Sequence, residues 1–359
     1  DDQAPSWCGS PCAVMSMQCY VVEGTAGRLD ERPIPTPGEG ECLVRLLCVG
    51  ICNTDLEILK GYMGFAGVLG HEFVGLCETA PPDAQDLVGK RVVGDINLAC
   101  GKVATCHTCG CGGVRARNHC PNRTVLGILN KDGTYAQYLT LPVTNLHVVP
   151  ESVSTANAAF VEPLAAACRI VEQGLIDPTT DRVAVLGDGK LGLLIAEVVG
   201  RHVHGGASST EEPSSPCTVL FGRHPEKMAL VSQEAHVAVH SSEDALPTHG
   251  GQYDVVIDAT GSPQGLDLAQ KLCRPLGTLV LKSTCAAGTD FNTAPFVIDE
   301  LRVIGSRCGP FPEALALLES GLDLTKLITA SFPFEQVDEA LRKAASKGCL
   351  KVQLSFPPP

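Results

Sequence analysis

Three short motifs carry side chains able to hold a transition metal. Gly50-Ile51-Cys52-Asn53-Thr54-Asp55 offers a thiol, and Gly70-His71-Glu72-Phe73-Val74-Gly75 offers an imidazole beside a carboxyl. Phe160-Val161-Glu162-Pro163-Leu164 adds a second carboxyl. A thiolate, an imidazole and a carboxylate, with one position left open to water or substrate, make a catalytic zinc site. Taken singly, each would ordinarily be a buried Cys, a core His or a surface Glu. Their occurrence as a set is what points to a metal.

A fourth motif speaks for a dinucleotide. Gly187-Asp188-Gly189-Lys190-Leu191-Gly192 fits G-x-G-x-x-G, follows the apolar strand Val183-Ala184-Val185-Leu186 and opens a helix. Glycines there allow the tight turn and let the backbone approach a pyrophosphate, which rests on the helix N-terminus. The candidate cofactor contacts are therefore Gly187, Gly189, Lys190, Leu191 and Gly192. An acid about 20 residues further on would bind a ribose 2′-hydroxyl, and that count reaches Glu211 and Glu212. Those two belong to a polar Gly/Ser/Glu/Pro stretch, Gly205–Pro216, read as a surface insertion. The next strand ends at Phe221 and is followed by Gly222, Arg223 and His224, with no carboxylate. A guanidinium at that point can pair with a 2′-phosphate, so Arg223 and His224 favour NADP over NAD.

These motifs need elements to hold them. From Met17 to about Leu141 short apolar runs such as Cys42–Cys48 and Arg91–Ile96 alternate with Gly and Pro, the texture of a mainly β unit. From about Leu164 strands and helices alternate, with strands expected at Arg182–Leu186, Thr218–Phe221, Val255–Asp258 and Thr278–Leu281. That alternation implies a parallel sheet covered by helices, an α/β arrangement. Two helices (Pro312–Ser320 and Phe334–Ala345) and a closing strand, Leu350–Leu354, follow; the strand is placed to return to the first unit.

The bulk properties bound what the chain does. Its 359 residues suffice for roughly two cores. The longest apolar candidate, Val183–Gly200, is broken by Asp188, Lys190 and Glu197, so no membrane span is expected. A net charge of −13 without any basic segment argues against nucleic acid as a partner. Eighteen cysteines in a chain without a secretory pattern read as reduced, cytoplasmic and partly metal-bound. The stretch Asp1–Ser16 reads as an extension ahead of the first strand, with an organelle-targeting remnant left open.

From about Met17 to Leu354 the set of motifs resembles the zinc-containing medium-chain dehydrogenase/reductase family, which includes alcohol, polyol, glucose and threonine dehydrogenases. The resemblance implies a β-rich GroES-like catalytic domain (residues 1–163 and 311–359) and a doubly wound Rossmann domain (164–310). It implies hydride transfer between NAD(P) and the carbinol carbon of a small alcohol, polyol or related substrate. Cys52 and His71 match the family's zinc ligands. Glu162 falls where alcohol dehydrogenases carry another Cys and polyol-type members carry Glu before Pro. Glu72 matches a carboxylate that binds the metal in some members and only swings near it in others. Asp55 matches the residue that orients the ligand histidine, and Thr54 the hydroxyl that touches substrate oxygen. Thr54-Asp55-Leu56-Glu57 also reads as a capping box for the next helix. Two positions depart from the family pattern: Glu57 stands where many relatives have a relay His, and Pro81 where Gly or Ala is expected.

A structural zinc is implied on Cys100, Cys106, Cys109 and Cys120, with Cys111 competing for the fourth place, although the family's regular ligand spacing is not kept. A homodimer joined along a late edge strand, Val303–Ser306, is also expected, with Ala294–Ile298 supplying cover. Two other readings stand beside this one: a zinc-free quinone or enoyl reductase of the same fold, and a non-catalytic NADP-binding sensor.

Overall fold

The computed structural model describes residues 15–100, 118–204, 217–243, 250–283 and 292–357. Cys106, Cys109, Cys111, Glu211, Glu212 and the polar stretch 205–216 lie outside the described residues.

The N-terminal half is β-rich. Strands β1 (Ser16–Glu23) and β2 (Ala26–Pro33) form a hairpin, and β4 (Gly67–Val68) pairs with β1. The larger sheet is built on β3 (Glu41–Gly50), in which Cys42, Val44, Leu46 and Cys48 are buried at every second position. Period-two burial puts one face of β3 into the core. Its neighbours are β5 (Glu72–Thr79), β10 (Tyr138–Pro142) and β19 (Lys351–Ser355), all antiparallel to it. β6 (Arg91–Gly94) and β11 (Leu146–Val148) extend the sheet beyond β5, and β18 (Ile328–Pro333) extends it beyond β19. A small third sheet joins β7 (Asn97–Leu98), β8 (Thr124–Leu126) and β9 (Asn130–Lys131). The expected return of the closing strand is met: Gln353 lies opposite Gly50 and Leu354 opposite Val49.

The second unit is a parallel sheet of order β14-β13-β12-β15-β16-β17. Its strands are β12 (Arg182–Leu186), β13 (Cys217–Gly222), β14 (Ala238–Ser241), β15 (Tyr253–Asp258), β16 (Cys273–Leu281) and β17 (Arg302–Gly305). Strand order runs outward in both directions from β12, so the β12/β15 boundary is the topological switch point, where ligands bind beyond the carboxyl ends. Val183 and Val185 of β12 join one core cluster, while Ala184 and Leu186 join another on the opposite face. Burial on both faces explains why β12 reads as an unbroken apolar run.

Helices supply that cover. α1 (Asn53–Ile58) follows β3, and α2 (Thr155–Ala158) and α3 (Val161–Glu172) bridge the two units. α4 (Lys190–His204) follows β12, and α5 (Pro225–Met228) follows β13. α6 (Pro263–Leu272) precedes β16, and α7 (Ala294–Ile298) precedes β17. α8 (Phe311–Glu319) and α9 (Val337–Ala344) lie in the tail.

One local expectation is corrected. Helix α1 begins at Asn53 with Cys52 as its N-cap, and the Asp55 carboxylate accepts from Cys52 N at 2.8 Å. The cap is therefore closed by Asp55 from inside the first turn, and Thr54 is a helical residue rather than the cap. Pro81 is also accounted for: β5 has already ended at Thr79, and Pro81 caps a short 3₁₀ turn at Pro82–Leu87.

Candidate active site

Cys52, His71 and Glu72 each bring one ligand atom into a group whose members lie within 4.8 Å of one another. The register explains how. β3 ends opposite the start of β5, with Gly50 paired to Glu72, so the turn after β3 delivers Cys52 beside His71. Gly50 must be glycine, because a Cβ there would overlap Glu72 Oε2.

His71 and Asp55 are nearly inaccessible, and His71 Nδ1 stands 3.2 Å from Asp55 Oδ1, within ion-pair reach but not aligned as a hydrogen bond. The other Asp55 oxygen accepts from Cys52 N at 2.8 Å and from Tyr135 Oη at 2.9 Å. Asp55 is thus a fixed anchor that orients the imidazole, the arrangement found behind metal-bound histidines. Burial works against charge on Asp55, but His71 and these donors outweigh it and hold the carboxyl below its ordinary value. Burial likewise opposes ionising Cys52, yet His71 and Lys190 prevail and the thiol is lowered. Burial resists protonation of His71, but Asp55 and Cys52 raise it well above the usual range.

Two lysines escaped the sequence reading of this site. Lys351, only 1% exposed on β19, forms a short ion pair with Glu72 Oε2 and lies 3.4 Å from Ile51 O. Lys190, at the start of α4, also donates to Ile51 O at 3.1 Å. Two ammonium groups therefore meet at the carbonyl preceding Cys52. One comes from α4 in the second unit and the other from β19, and only the tertiary pairing of β19 with β3 brings Lys351 there. Among the described residues Glu72 Oε1 is buried without a hydrogen-bond partner. An orphaned carboxylate oxygen beside a thiol and an imidazole costs free energy unless an ion completes it, so the donor set fits zinc.

Thr54 Oγ1 lies 3.7 Å from Cys52 Sγ and is only partly buried. Glu162 sits in the first turn of α3, where Pro163 costs no hydrogen bond. It lies outside the tight trio, but burial, countered in part by His71 and then reinforced by Glu72, pushes its carboxyl up to about 7. Beyond it, Lys282 donates to Arg307 O at 2.6 Å and to Ser306 Oγ at 3.2 Å, and burial lowers its ammonium to about 8. Of the expected structural-zinc cysteines, Cys100 and Cys120 are described, and Cys120 is buried.

The glycine loop lies at the carboxyl end of β12. Gly187 has φ +108°, and a Cβ on Gly192 would overlap Gly187 O, so both positions demand glycine. Gly189 faces open space, the room a pyrophosphate would need. Leu191 packs on the core, and the ammonium of Lys190 is turned to the metal group rather than to the loop. Arg223 is exposed, and His224 Nδ1 lies 2.9 Å from Asp188 Oδ2.

Comparison with known proteins bears directly on this pair of sites. Residues 38–151 match the alcohol dehydrogenase GroES-like domain, and residues 218–320 match the zinc-binding dehydrogenase domain. The starvation-sensing protein RspB of Escherichia coli is 30% identical, the match covering 91% of this chain and 95% of that protein. The chain belongs to the zinc-dependent medium-chain dehydrogenase/reductase family. Erythritol/L-threitol dehydrogenase of Mycolicibacterium smegmatis is also 30% identical, over 94% of this chain and 97% of that one. Among solved structures, the rspB alcohol dehydrogenase of E. coli complexed with NADH superposes with a TM-score of 0.80 at 28% identity, covering 95% and 99% of the two chains. A zinc-binding dehydrogenase of Sinorhizobium meliloti bound to NADP gives 0.81 at 26%, with the same coverage. The protein is an NAD(P)-dependent, zinc-dependent oxidoreductase of alcohol dehydrogenase type. Among the described residues no helix is long and apolar enough to cross a membrane.

Proposed function

We propose that the chain oxidises a secondary hydroxyl of a polyol or a related hydroxylated substrate, reversibly, at a zinc held by Cys52, His71 and a carboxylate from Glu72 or Glu162. The single observation that carries this is the trio Cys52, His71 and Glu72, the last two buried, with Glu72 Oε1 unpartnered among the described residues. Relatives that act on erythritol, L-galactonate and D-altritol support the polyol class. Bound there, zinc supplies a Lewis acid to the substrate oxygen and the dinucleotide an acceptor for hydride.

The chain's own residues do the rest. Asp55, fixed by Tyr135 and the Cys52 amide, keeps the imidazole of His71 in place. Lys351 neutralises Glu72, while His71 and Lys190 favour the thiolate of Cys52. The Thr54 hydroxyl, beside Cys52 and only partly buried, would accept a hydrogen bond from the substrate hydroxyl and, as it receives that proton, release its own to solvent. Glu57, at the place of the family's relay His, is paired with Lys60 at 2.9 Å. Gly187, Gly189 and the backbone start of α4 receive the pyrophosphate. The 2′ position of the adenosine ribose would lie beside Asp188, Arg223 and His224, whose backbone and carboxylate are joined at the end of β13.

Catalytic residues come from 1–163, the nucleotide site from 164–310, and the tail 311–359 returns Lys351 to the first unit; we assign the domains accordingly. A structural zinc on Cys106, Cys109, Cys120 and Cys100, with Cys111 competing for the fourth place, belongs to the same reading. So does a homodimer through the edge strand β17, where Leu276, Val297, Ile298 and Val303 are 56%, 74%, 77% and 43% exposed. Light scattering that gives a monomer mass at every concentration would remove the dimer.

The test of function is a panel of polyols, sugar acids and simple alcohols, assayed with each dinucleotide before and after zinc chelation. Turnover on a polyol, lost with zinc and restored by adding it back, is expected. Turnover that survives complete zinc removal would assign the chain to zinc-free reductases of the same fold.

A further inference from the structure

Asp188 lies in the glycine loop, between Gly187 and Gly189, and its carboxylate reaches across to the end of β13. Its Oδ2 accepts from Arg223 N and His224 N, each at 2.6 Å, and lies 2.9 Å from His224 Nδ1. Glycine at position 222 makes room for this. A Cβ on Gly222 would stand 2.7 Å from Asp188 Cβ and 2.8 Å from Asp188 Oδ2. The carboxylate therefore fills the space into which a side chain at the end of β13 would project. In a dinucleotide fold that space is where an acid receives the adenosine ribose.

We propose that Asp188 is the ribose-binding acid of this chain, delivered from the glycine loop instead of the strand end, and that it selects NAD over NADP. The assignment rests on the dehydrogenase reading above and reverses the preference expected from Arg223 in the sequence. Three features carry it. The backbone N–H groups of Arg223 and His224, which would otherwise be free to cradle a 2′-phosphate, are both taken by Asp188. Among the described residues Asp188 Oδ1 accepts no hydrogen bond, so it remains available to ribose hydroxyls. Asp188 is largely buried, and a phosphate brought beside a buried carboxylate meets like charge that water screens poorly. The Arg223 guanidinium is exposed and has no ion-pair partner among the described residues. Solvent screening leaves it too weak to offset that repulsion. Burial alone would favour the protonated carboxyl, but the Arg223 and His224 donors outweigh it and keep Asp188 ionised.

The test is calorimetric titration of the zinc-loaded full chain with NADH and with NADPH, without substrate. The native chain should bind NADH at least about tenfold tighter. D188N, which keeps the shape and removes the charge, should shrink that ratio about tenfold, chiefly by tightening NADPH. D188S should do the same if the asparagine disturbs the loop, and melting curves establish that each variant is folded. R223A should change the ratio by less than about threefold. Tighter binding of NADPH by the native chain, or an unchanged ratio in both folded Asp188 variants, overturns the assignment. Binding of neither dinucleotide would overturn the dehydrogenase reading as well, and so is distinguishable from failure of the selectivity alone.

Discussion

At the metal group, Lys351 reaches Glu72 across 279 positions of sequence and Ile51 across 300. At the glycine loop, Asp188 reaches Arg223 across only 35, within one strand-turn-helix-strand unit. The metal group gathers Asp55, His71, Glu72 and Lys351, all nearly inaccessible, and among the described residues leaves Glu72 Oε1 without a partner. The glycine loop is more open, and its one carboxylate already satisfies two backbone donors through Oδ2. The difference separates two ways of preparing a site. Buried charge is held in tension until an ion completes it, whereas a turn of backbone needs only empty space and glycine.

The largest effect that would break this contrast is expected at Lys351. K351M leaves Glu72 buried without its cation and should cost about 3–5 kcal/mol of unfolding free energy in urea. The double variant E72Q/K351M should recover most of that loss. A K351M chain as stable as the native one would mean that Glu72 is not held as a charged group.

A smaller effect is expected one layer out. D55N keeps the hydrogen bond from Tyr135 but removes the charge facing His71, and should weaken zinc binding by about 10–100-fold in a competition with a chelator. An unchanged affinity would remove Asp55 from the metal site and make it a helix cap alone.

The smallest effect sharpens the electrostatics between the two sites. Lys282 titrates at about 8 in the folded chain, below the ordinary lysine value of about 10.4. Between those values the unfolded chain binds the extra proton, so this group makes stability rise as pH rises from about 8 to about 10.4. Below about 8 both states are protonated and its contribution is flat. K282M should lose that rise relative to the native chain in denaturant titrations across the alkaline range. Parallel stability curves for the two proteins would contradict the burial of this ammonium.

How far the sequence could be read follows the same division. The loop Gly187–Gly192, its strand and its helix were legible because a local motif and local periodicity determine them. Cys52, His71 and Glu72 were legible as types with metal-binding chemistry, although which carboxylate joins them depends on the register of β3 with β5. Lys351 was invisible: the closing strand was expected to return to the first unit, but its pairing with β3, which sets Lys351 beside Glu72, was not. Tyr135 was missed for the same reason: its hydroxyl finds Asp55 only through the fold. Asp188 was given no role within the glycine motif, and its reach to the end of β13 could not be inferred without the positions of Gly222 and His224. Thr54 was credited with a cap that Cys52 and Asp55 form instead, because a short pattern of Ser/Thr and Glu says nothing about where the helix begins.

The roles assigned to Cys52, His71 and Glu72 all depend on zinc. Zinc per chain should be measured by elemental analysis for the native protein and for C52A, with circular dichroism to establish that the fold is kept. C52A is predicted to carry one zinc fewer per chain and to lose polyol oxidation by about 10³-fold or more, a loss of about 4 kcal/mol in transition-state stabilisation. A folded C52A with the native zinc content and native turnover would contradict it.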